Sequence, residues 1–142
     1  MFGGSRVLSL LSGRYAICRF SPDQDIPTWS VSTISEFLSI TRSRTELSVI
    51  CAADALPAEV AYDADWYCLR IEGSFGIDEP GVLASVASPL AHAGISTFAI
   101  ATHDTDYLLV TDIYGAVAAL RAGGHQVTGD GNGCDSPREA RF

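Results

Sequence analysis

The stretch that decides the fold reads Phe75-Gly76-Ile77-Asp78-Glu79-Pro80-Gly81-Val82-Leu83. It follows residues 67–71, in which apolar and polar side chains alternate as they do in a strand. From Gly81 onward the apolar side chains recur at helical spacing, and Gly94 is typical of a helix end. The stretch therefore predicts a loop that leaves a strand and turns directly into a helix, with Pro80 in its first turn.

The segments around this stretch complete an ordered set of strands and helices. Further strands are predicted at residues 95–101, 107–111 and 125–128, and a second helix at residues 114–122. The order β-α-β-β-α-β predicts the ferredoxin-like arrangement, an α+β fold with a four-stranded antiparallel sheet and both helices on one face. The other face would be bare, so we expect the N-terminal strands or a second copy of the chain to cover or extend the sheet.

The N-terminal half predicts a second, partial lobe. It carries four strand-like segments, at residues 6–11, 15–20, 37–41 and 47–51. The first two flank a Ser12-Gly13 turn. The expected domains are an N-terminal lobe at residues 1–62, a C-terminal domain at residues 63–128 and a disordered tail at residues 129–142.

The composition of the chain excludes several classes of protein. With 47% hydrophobic and 18% charged residues over 142 positions, the chain can build its own core. Its formal net charge is −8, from 17 acidic side chains and 9 basic ones, all of them arginine. Because affinity for nucleic acids and anionic lipids comes mainly from basic side chains, we expect neither nucleic acid nor membrane as a partner. Small molecules that carry an ammonium group suit the negative electrostatic field of this chain better than nucleic acids or anionic lipids do.

The cysteines and the apolar segments indicate a cellular compartment. Four cysteines lie far apart and form no C-x-x-C pair: Cys18, Cys51, Cys68 and Cys134. The N-terminal apolar run is too short for a secretory signal, which a disulfide scaffold would need. Residues 80–103 are uncharged, but Pro89 and Gly94 interrupt them, so a helix followed by a strand is predicted. We expect a cytoplasmic protein with reduced thiols.

The start of the predicted helix is suited to a small zwitterion. Its unpaired backbone amides favour an anion such as a ligand carboxylate, and Asp78 and Glu79 are able to hold an ammonium or guanidinium group. Together these groups would suit an amino acid. The alternative is that the two carboxylates only cap the helix and complement its dipole.

A second polar corner contains His103, Asp104 and Asp106, between two predicted strands. A metal site, a catalytic site and a plain polar turn are the alternatives for these residues. Neighbouring side chains on a strand corner point to opposite faces, which argues against a metal site. The sequence also has neither a G-x-S-x-G motif nor a cysteine beside a histidine. We therefore predict no catalytic residue, no metal ligand and no cofactor.

The motif at the helix resembles that of ACT domains, small regulatory modules that bind amino acids. Asp78-Glu79-Pro80-Gly81-Val82-Leu83, followed by Pro89-Leu90-Ala91 and Ala93-Gly94-Ile95, is similar to their D-x-P-G-v-L…L-a-x-x-G-I signature. Residues 96–110 resemble a narrower group, the small two-lobed bacterial ACT proteins related to the cytosolic arginine sensors of animal cells. Their first lobe resembles residues 15–19, 37–42 and 46–51.

This resemblance implies a ligand site between the strand-to-helix loop and an adjacent lobe or subunit. The residues that it implicates are Gly76, Ile77, Asp78, Gly81 and Val82 in the loop, and Thr102, His103, Asp104 and Asp106 in the second corner. In the arginine sensors an acid at the position of Asp106 helps to hold the charged groups of the ligand. His103 stands where an aromatic residue is usual.

The function that the resemblance implies is that of an amino-acid-binding regulatory or sensor protein, not an enzyme. We expect a homodimer that forms through the sheet, and a protein partner that the sequence does not identify. The alternative is an ACT-fold interaction module that dimerises and binds no ligand.

Overall fold

The computed structural model describes residues 4–32, 35–62, 65–73 and 79–129. The chain forms two compact units. Gly13–Trp66 make up the smaller unit, and the described residues before and after them make up the larger one. Because the larger unit carries the predicted helix start and the second polar corner, it positions the candidate site.

The secondary structure alternates in the order that the sequence predicts. The strands are β1 (Val7–Leu10), β2 (Tyr15–Phe20), β3 (Ser39–Arg42), β4 (Leu47–Ala52), β5 (Tyr67–Ile71), β6 (Phe98–Ala101), β7 (Asp106–Val110) and β8 (Gln126–Gly129). The helices are α1 (Thr28–Ser32), α2 (Val82–His92) and α3 (Ile113–Ala122), with a 3-10 turn at Ala53–Ala55. The uncharged segment is a helix followed by a strand, as predicted. None of the described helices has the length and apolar character that crossing a membrane requires.

The sheet of the larger unit has five strands in the order β6-β7-β5-β1-β8. This confirms the α+β, ferredoxin-like class but corrects its details. β1 lies between β5 and β8, antiparallel to the first and parallel to the second, so the sheet is not a purely antiparallel set of four strands. β1 therefore extends the sheet of the larger unit.

The position of β1 also differs from the expected division of the chain. The sequence predicts it in an N-terminal lobe of residues 1–62, on the other side of the Ser12-Gly13 turn from β2. In the structure β1 and β2 belong to different sheets. The physical reason is that Leu8 and Leu10 are fully buried in the core of the larger unit, which β1 completes.

The core of the larger unit lies between one face of the sheet and two helices. The buried sheet residues are Leu8, Leu10, Leu69, Ile71, Leu108, Val110 and Val127. α2 contributes Val82, Val86 and Leu90 at a spacing of four residues, and α3 packs Ile113, Ala116, Val117 and Leu120 on the same core. Both helices therefore cover one face of the sheet, as predicted.

The ends of α2 are set by glycines. Gly81 precedes the helix with a φ of 81° and Gly94 follows it with a φ of 76°, a left-handed backbone that residues with a side chain rarely adopt. The amide of Ile95 donates to the carbonyl of Leu90 (2.9 Å), which completes the C-terminal turn. The predicted end of the helix at Gly94 is therefore confirmed.

The smaller unit is a three-stranded antiparallel sheet in the order β2-β4-β3. Cys18 and Cys51 are free thiols in its core, packed with Ala16, Leu47 and Val49. Burial, with smaller contributions from Cys18 and Asp54, raises the pKa of the Cys51 thiol to about 12. Cys51 is therefore a packing residue without thiolate reactivity at neutral pH.

The buried position of β1 leads to a prediction about stability. Replacing Leu8 with alanine removes a fully buried side chain and leaves a cavity, which should lower the free energy of unfolding by about 2–5 kcal/mol. Val7→Ala, next to it on the same strand at a side chain that is 38% exposed, should cost about 0.5 kcal/mol. Urea denaturation followed by circular dichroism measures both. Equal losses for the two variants would show that β1 is not part of the core.

Candidate functional site

A cleft of about 690 Å³ runs along α2 beside the end of β6. It joins the two places that the sequence singled out, the start of α2 and the turn between β6 and β7. Its lining residues are Glu79, Gly81, Val82, Leu83, Ala84, Ala87, Ser88, Ala91, Ala101, Thr102, His103 and Asp106. One end is therefore polar and acidic, whereas the wall along α2 consists largely of small apolar side chains.

The residues of the first turn of α2 line this cleft and carry backbone amides without a helical acceptor. The first helical bond runs from the amide of Ser85 to the carbonyl of Gly81 (3.0 Å), so the amides of Val82, Leu83 and Ala84 have no acceptor within the helix. The hydroxyl of Ser85 donates back to the carbonyl of Val82 (2.7 Å) and tightens the turn. The helix dipole adds partial positive charge at the same place.

The turn between β6 and β7 is held by two threonines. The Thr102 amide and hydroxyl both donate to the Thr105 carbonyl, at 2.9 and 2.8 Å. The hydroxyl of Thr105, which is buried, donates to the carbonyl of Ile71 (2.6 Å) and ties the turn to β5. The two residues between them, His103 and Asp104, contact each other (Nδ1 to Oδ1, 3.0 Å) and project into solvent.

Asp106 begins β7 at the acidic end of the cleft and is half-buried. Burial raises the pKa of its carboxyl above the ordinary value for aspartate. Within residues 4–32, 35–62, 65–73 and 79–129, no ion pair or hydrogen bond reaches this carboxylate. The protein thus keeps a partly desolvated anion facing the cleft, and the energetic cost of its burial is uncompensated by those residues.

Glu79, the other acid at the cleft, has a cationic partner. The Arg6 guanidinium lies 2.7 Å from its carboxylate oxygen Oε2. The Arg6 backbone amide donates to Nδ1 of His125 (2.9 Å), and Nε2 of the same ring donates to the carbonyl of Ser85 (2.7 Å). These partners define the neutral tautomer of His125 and connect the segment before β1 to α2.

Most of the predicted site residues that the structure describes share this cleft. Gly81, Val82, Thr102, His103 and Asp106 line it. Asp104 does not, and it lines a smaller cleft of about 300 Å³ with Arg70 and Tyr107. The remaining predictions, Gly76, Ile77 and Asp78, lie outside the described residues.

Several parts of the site are not predicted by the sequence. Glu79 is predicted as a possible acceptor for a ligand cation, but nothing in the sequence gives it a partner in Arg6, which is 73 residues away from it. The small residues of α2 that form the wall, among them Ala87 and Ala91, appeared only as part of a helix. Their helical spacing with Ala84 was the available signal, because it places the three on one face of the helix.

The donor set of the described residues does not suit a metal. Among them, no group of three or more His, Cys, Asp or Glu side chains could hold a metal ion. The described lining of the cleft includes two carboxylates and one histidine, but neither lysine nor arginine. The arrangement fits an organic cation or a zwitterion better than an anion.

Two protein-family models match this chain. The model of the ACT domain family matches residues 61–122. A second family model, described as an N-terminal domain, matches residues 13–59. No curated protein matches the chain.

Solved structures give a whole-chain comparison. The protein Atu0741 from Agrobacterium tumefaciens is 38% identical, with a TM-score of 0.82 over 89% of this chain and 94% of that one. VC0802 from Vibrio cholerae shares the fold at 22% identity, with a TM-score of 0.67 over 84% and 90% of the two chains. The ligand-free regulatory subunit of aspartate kinase from Thermus thermophilus shares it at 17% identity, with a TM-score of 0.53 over 81% and 93%.

The burial of Asp106 predicts a pH-dependent cost to stability. Because the folded-state pKa is raised, the ionised carboxylate destabilises the fold at neutral pH, and the penalty disappears as the pH falls through that raised value. Asp106→Asn should therefore raise the melting temperature of the ligand-free protein at pH 7 and leave it almost unchanged at pH 3. Asp104→Asn, at a side chain that is 82% exposed, is the matched control. A lower melting temperature for Asp106→Asn at pH 7 would contradict this account.

Proposed function

We propose that this chain, which belongs to the same family as Atu0741 and carries an ACT domain, is a regulatory protein that binds an amino acid in the cleft along α2. One observation carries the proposal. The half-buried carboxylate of Asp106, whose pKa is raised by burial, lines the same cleft as the first turn of α2. A ligand ammonium at Asp106 would supply the missing counter-charge, and a ligand carboxylate would accept the amides of that turn.

The regulatory part of the proposal is supported by the kind of protein that shares the fold. The solved structure from Thermus thermophilus is the regulatory subunit of an aspartate kinase. Regulation by such a domain requires only differential binding, because a ligand that prefers one arrangement shifts the population toward it. We propose that a second subunit closes the cleft and that a further protein senses the change.

The proposal has two finer parts, kinship with the arginine sensors and a cytoplasmic location. Kinship with the arginine sensors is supported by the threonine-rich turn before Asp106 and stays a prediction, because His103 replaces the usual aromatic residue. A cytoplasmic location is supported by the described cysteines, which are free and buried.

A thermal-shift screen of the twenty common amino acids tests the function. An amino acid at 100 times its dissociation constant should stabilise the protein by about 2.7 kcal/mol, which raises the melting temperature by several degrees. Asp106→Asn should weaken the best ligand by about tenfold or more, although the same variant stabilises the empty protein. Asp104→Asn should bind as the wild type does. If no amino acid shifts the melting temperature, the proposed function is wrong.

A second candidate function, an interaction module, is favoured by the edge of the sheet. β6 is an edge strand, and three of its four residues are exposed. The Thr102 amide donates to the Thr105 carbonyl, so these two residues form a hydrogen-bonded pair. Because hydrogen-bonded and non-hydrogen-bonded pairs alternate along antiparallel strands, the backbone groups of Ala99 and Ala101 point away from β7, toward the unpaired edge of the sheet. The strand carries no charge or proline to prevent pairing, and a second copy of the chain could add its own β6 there.

Substitution of this edge tests self-association. Ala99→Lys places a charged side chain on the edge strand itself and should weaken a β6-paired dimer by about tenfold or more. Gln126→Lys adds the same charge on β8, at the opposite edge of the sheet, and should leave the dimer intact. Sedimentation equilibrium over a range of protein concentrations measures both. A wild-type chain that stays monomeric, or equal effects of the two variants, would contradict pairing through β6.

A further inference from the structure

The ion pair between Arg6 and Glu79 restricts the chemistry of the cleft. Glu79 lines the cleft, whereas Arg6 comes from the segment just before β1. We infer that Arg6 neutralises Glu79 and so limits the cleft to ligands with a single cationic group and an uncharged, aliphatic side chain. This inference rests on the proposed function and narrows its ligand class.

Arg6 is held firmly enough to act in this way. Its side chain is only 18% exposed, and its guanidinium contacts the Glu79 carboxylate at 2.7 Å. Both of its backbone groups are bonded, the amide to Nδ1 of His125 (2.9 Å) and the carbonyl to the amide of Gln126 (2.9 Å). Because the backbone is fixed and the side chain mostly buried, an incoming cation would have to displace a preformed partner to reach Glu79.

The charge of the cleft follows from this pairing. Two carboxylates line it, at Glu79 and Asp106, which alone would suit a ligand with two cationic groups. Once Arg6 balances Glu79, one uncompensated carboxylate remains at Asp106 among the described lining residues. That carboxylate matches the α-ammonium of an amino acid, and the described lining offers no second uncompensated carboxylate for an ammonium on its side chain.

The wall along α2 points to the same ligand class. Apart from Ser88, the side chains of α2 that line the cleft are apolar, namely Val82, Leu83, Ala84, Ala87 and Ala91, and Ala101 of β6 adds a further methyl group. A charged side-chain end placed against this wall would lose water without gaining a partner, which is unfavourable. A methyl group at the same position would bury apolar surface instead, which is favourable.

L-norleucine and L-lysine are the probes that separate these cases, because they differ by a terminal methyl group in place of an ammonium. The wild type should bind norleucine more tightly than lysine, as measured by isothermal titration calorimetry. Arg6→Met frees Glu79 and should shift the ratio of the two affinities by about tenfold toward lysine, or about 1.4 kcal/mol. Arg6→Lys keeps the cation and should retain the wild-type preference.

Two further variants keep the test decisive if Arg6→Met folds poorly. Glu79→Gln removes one negative charge from the lining of the cleft, so it should shift the affinity ratio the other way, toward norleucine. Arg19→Met is the matched control, because it also removes one arginine from an Arg–Glu pair, with Glu46 at 3.9 Å, outside the residues that line the cleft. It should leave the ratio unchanged.

The failures of the inference and of the proposed function are distinguishable. If the wild type prefers lysine, or if the Arg6 and Glu79 variants keep the wild-type ratio, the role assigned to Arg6 is wrong while amino-acid binding stands. If neither probe binds to the wild type or to any variant, and the amino-acid screen is also silent, both proposals are overturned.

Discussion

The insertion of β1 between β5 and β8 is the interaction on which the candidate site depends. It buries Leu8 and Leu10 in the core and completes a five-stranded sheet under the two helices. The same pairing fixes the backbone of Arg6, and through it the guanidinium that contacts Glu79 at the cleft. A strand that extends a sheet therefore also positions the cation that pairs with Glu79, a residue 73 positions away in the chain.

Two carboxylates in the larger unit have opposite electrostatic environments. Glu72 accepts hydrogen bonds from the Ser9 hydroxyl and the Arg70 guanidinium, and these, led by Ser9, hold its pKa below the ordinary value. Asp106 receives no comparable contact from the described residues, and burial moves its pKa in the opposite direction. The first carboxylate stabilises the fold at neutral pH, whereas the second destabilises it, which is the pattern expected where a ligand provides the missing partner.

Local patterns in the sequence predicted the parts of the fold that local interactions determine. The helical spacing of Val82, Val86 and Leu90 and the glycine at 94 defined α2, because a helix and its ends depend on residues within a few positions. Strand pairing is different, since nothing in residues 6–11 indicates whether β2 or β5 is the partner. For the same reason the contact between Arg6 and Glu79 could not be predicted, although the motif at Gly81 and the corner at Asp106 both fall at the cleft.

Ligand binding and self-association, the two proposed activities, meet at Ala101. This residue ends β6, turns its backbone groups toward the free edge and also lines the cleft. A strand added to β6 would therefore run beside a bound ligand. By linkage, a ligand that binds the dimer more tightly than the monomer must strengthen dimerisation by the same factor. A ligand whose side chain extends across Ala101 would block the edge of β6, and it must weaken dimerisation. The fraction of chains that are dimeric would then depend on which ligand is bound, and no large movement inside the domain would be needed.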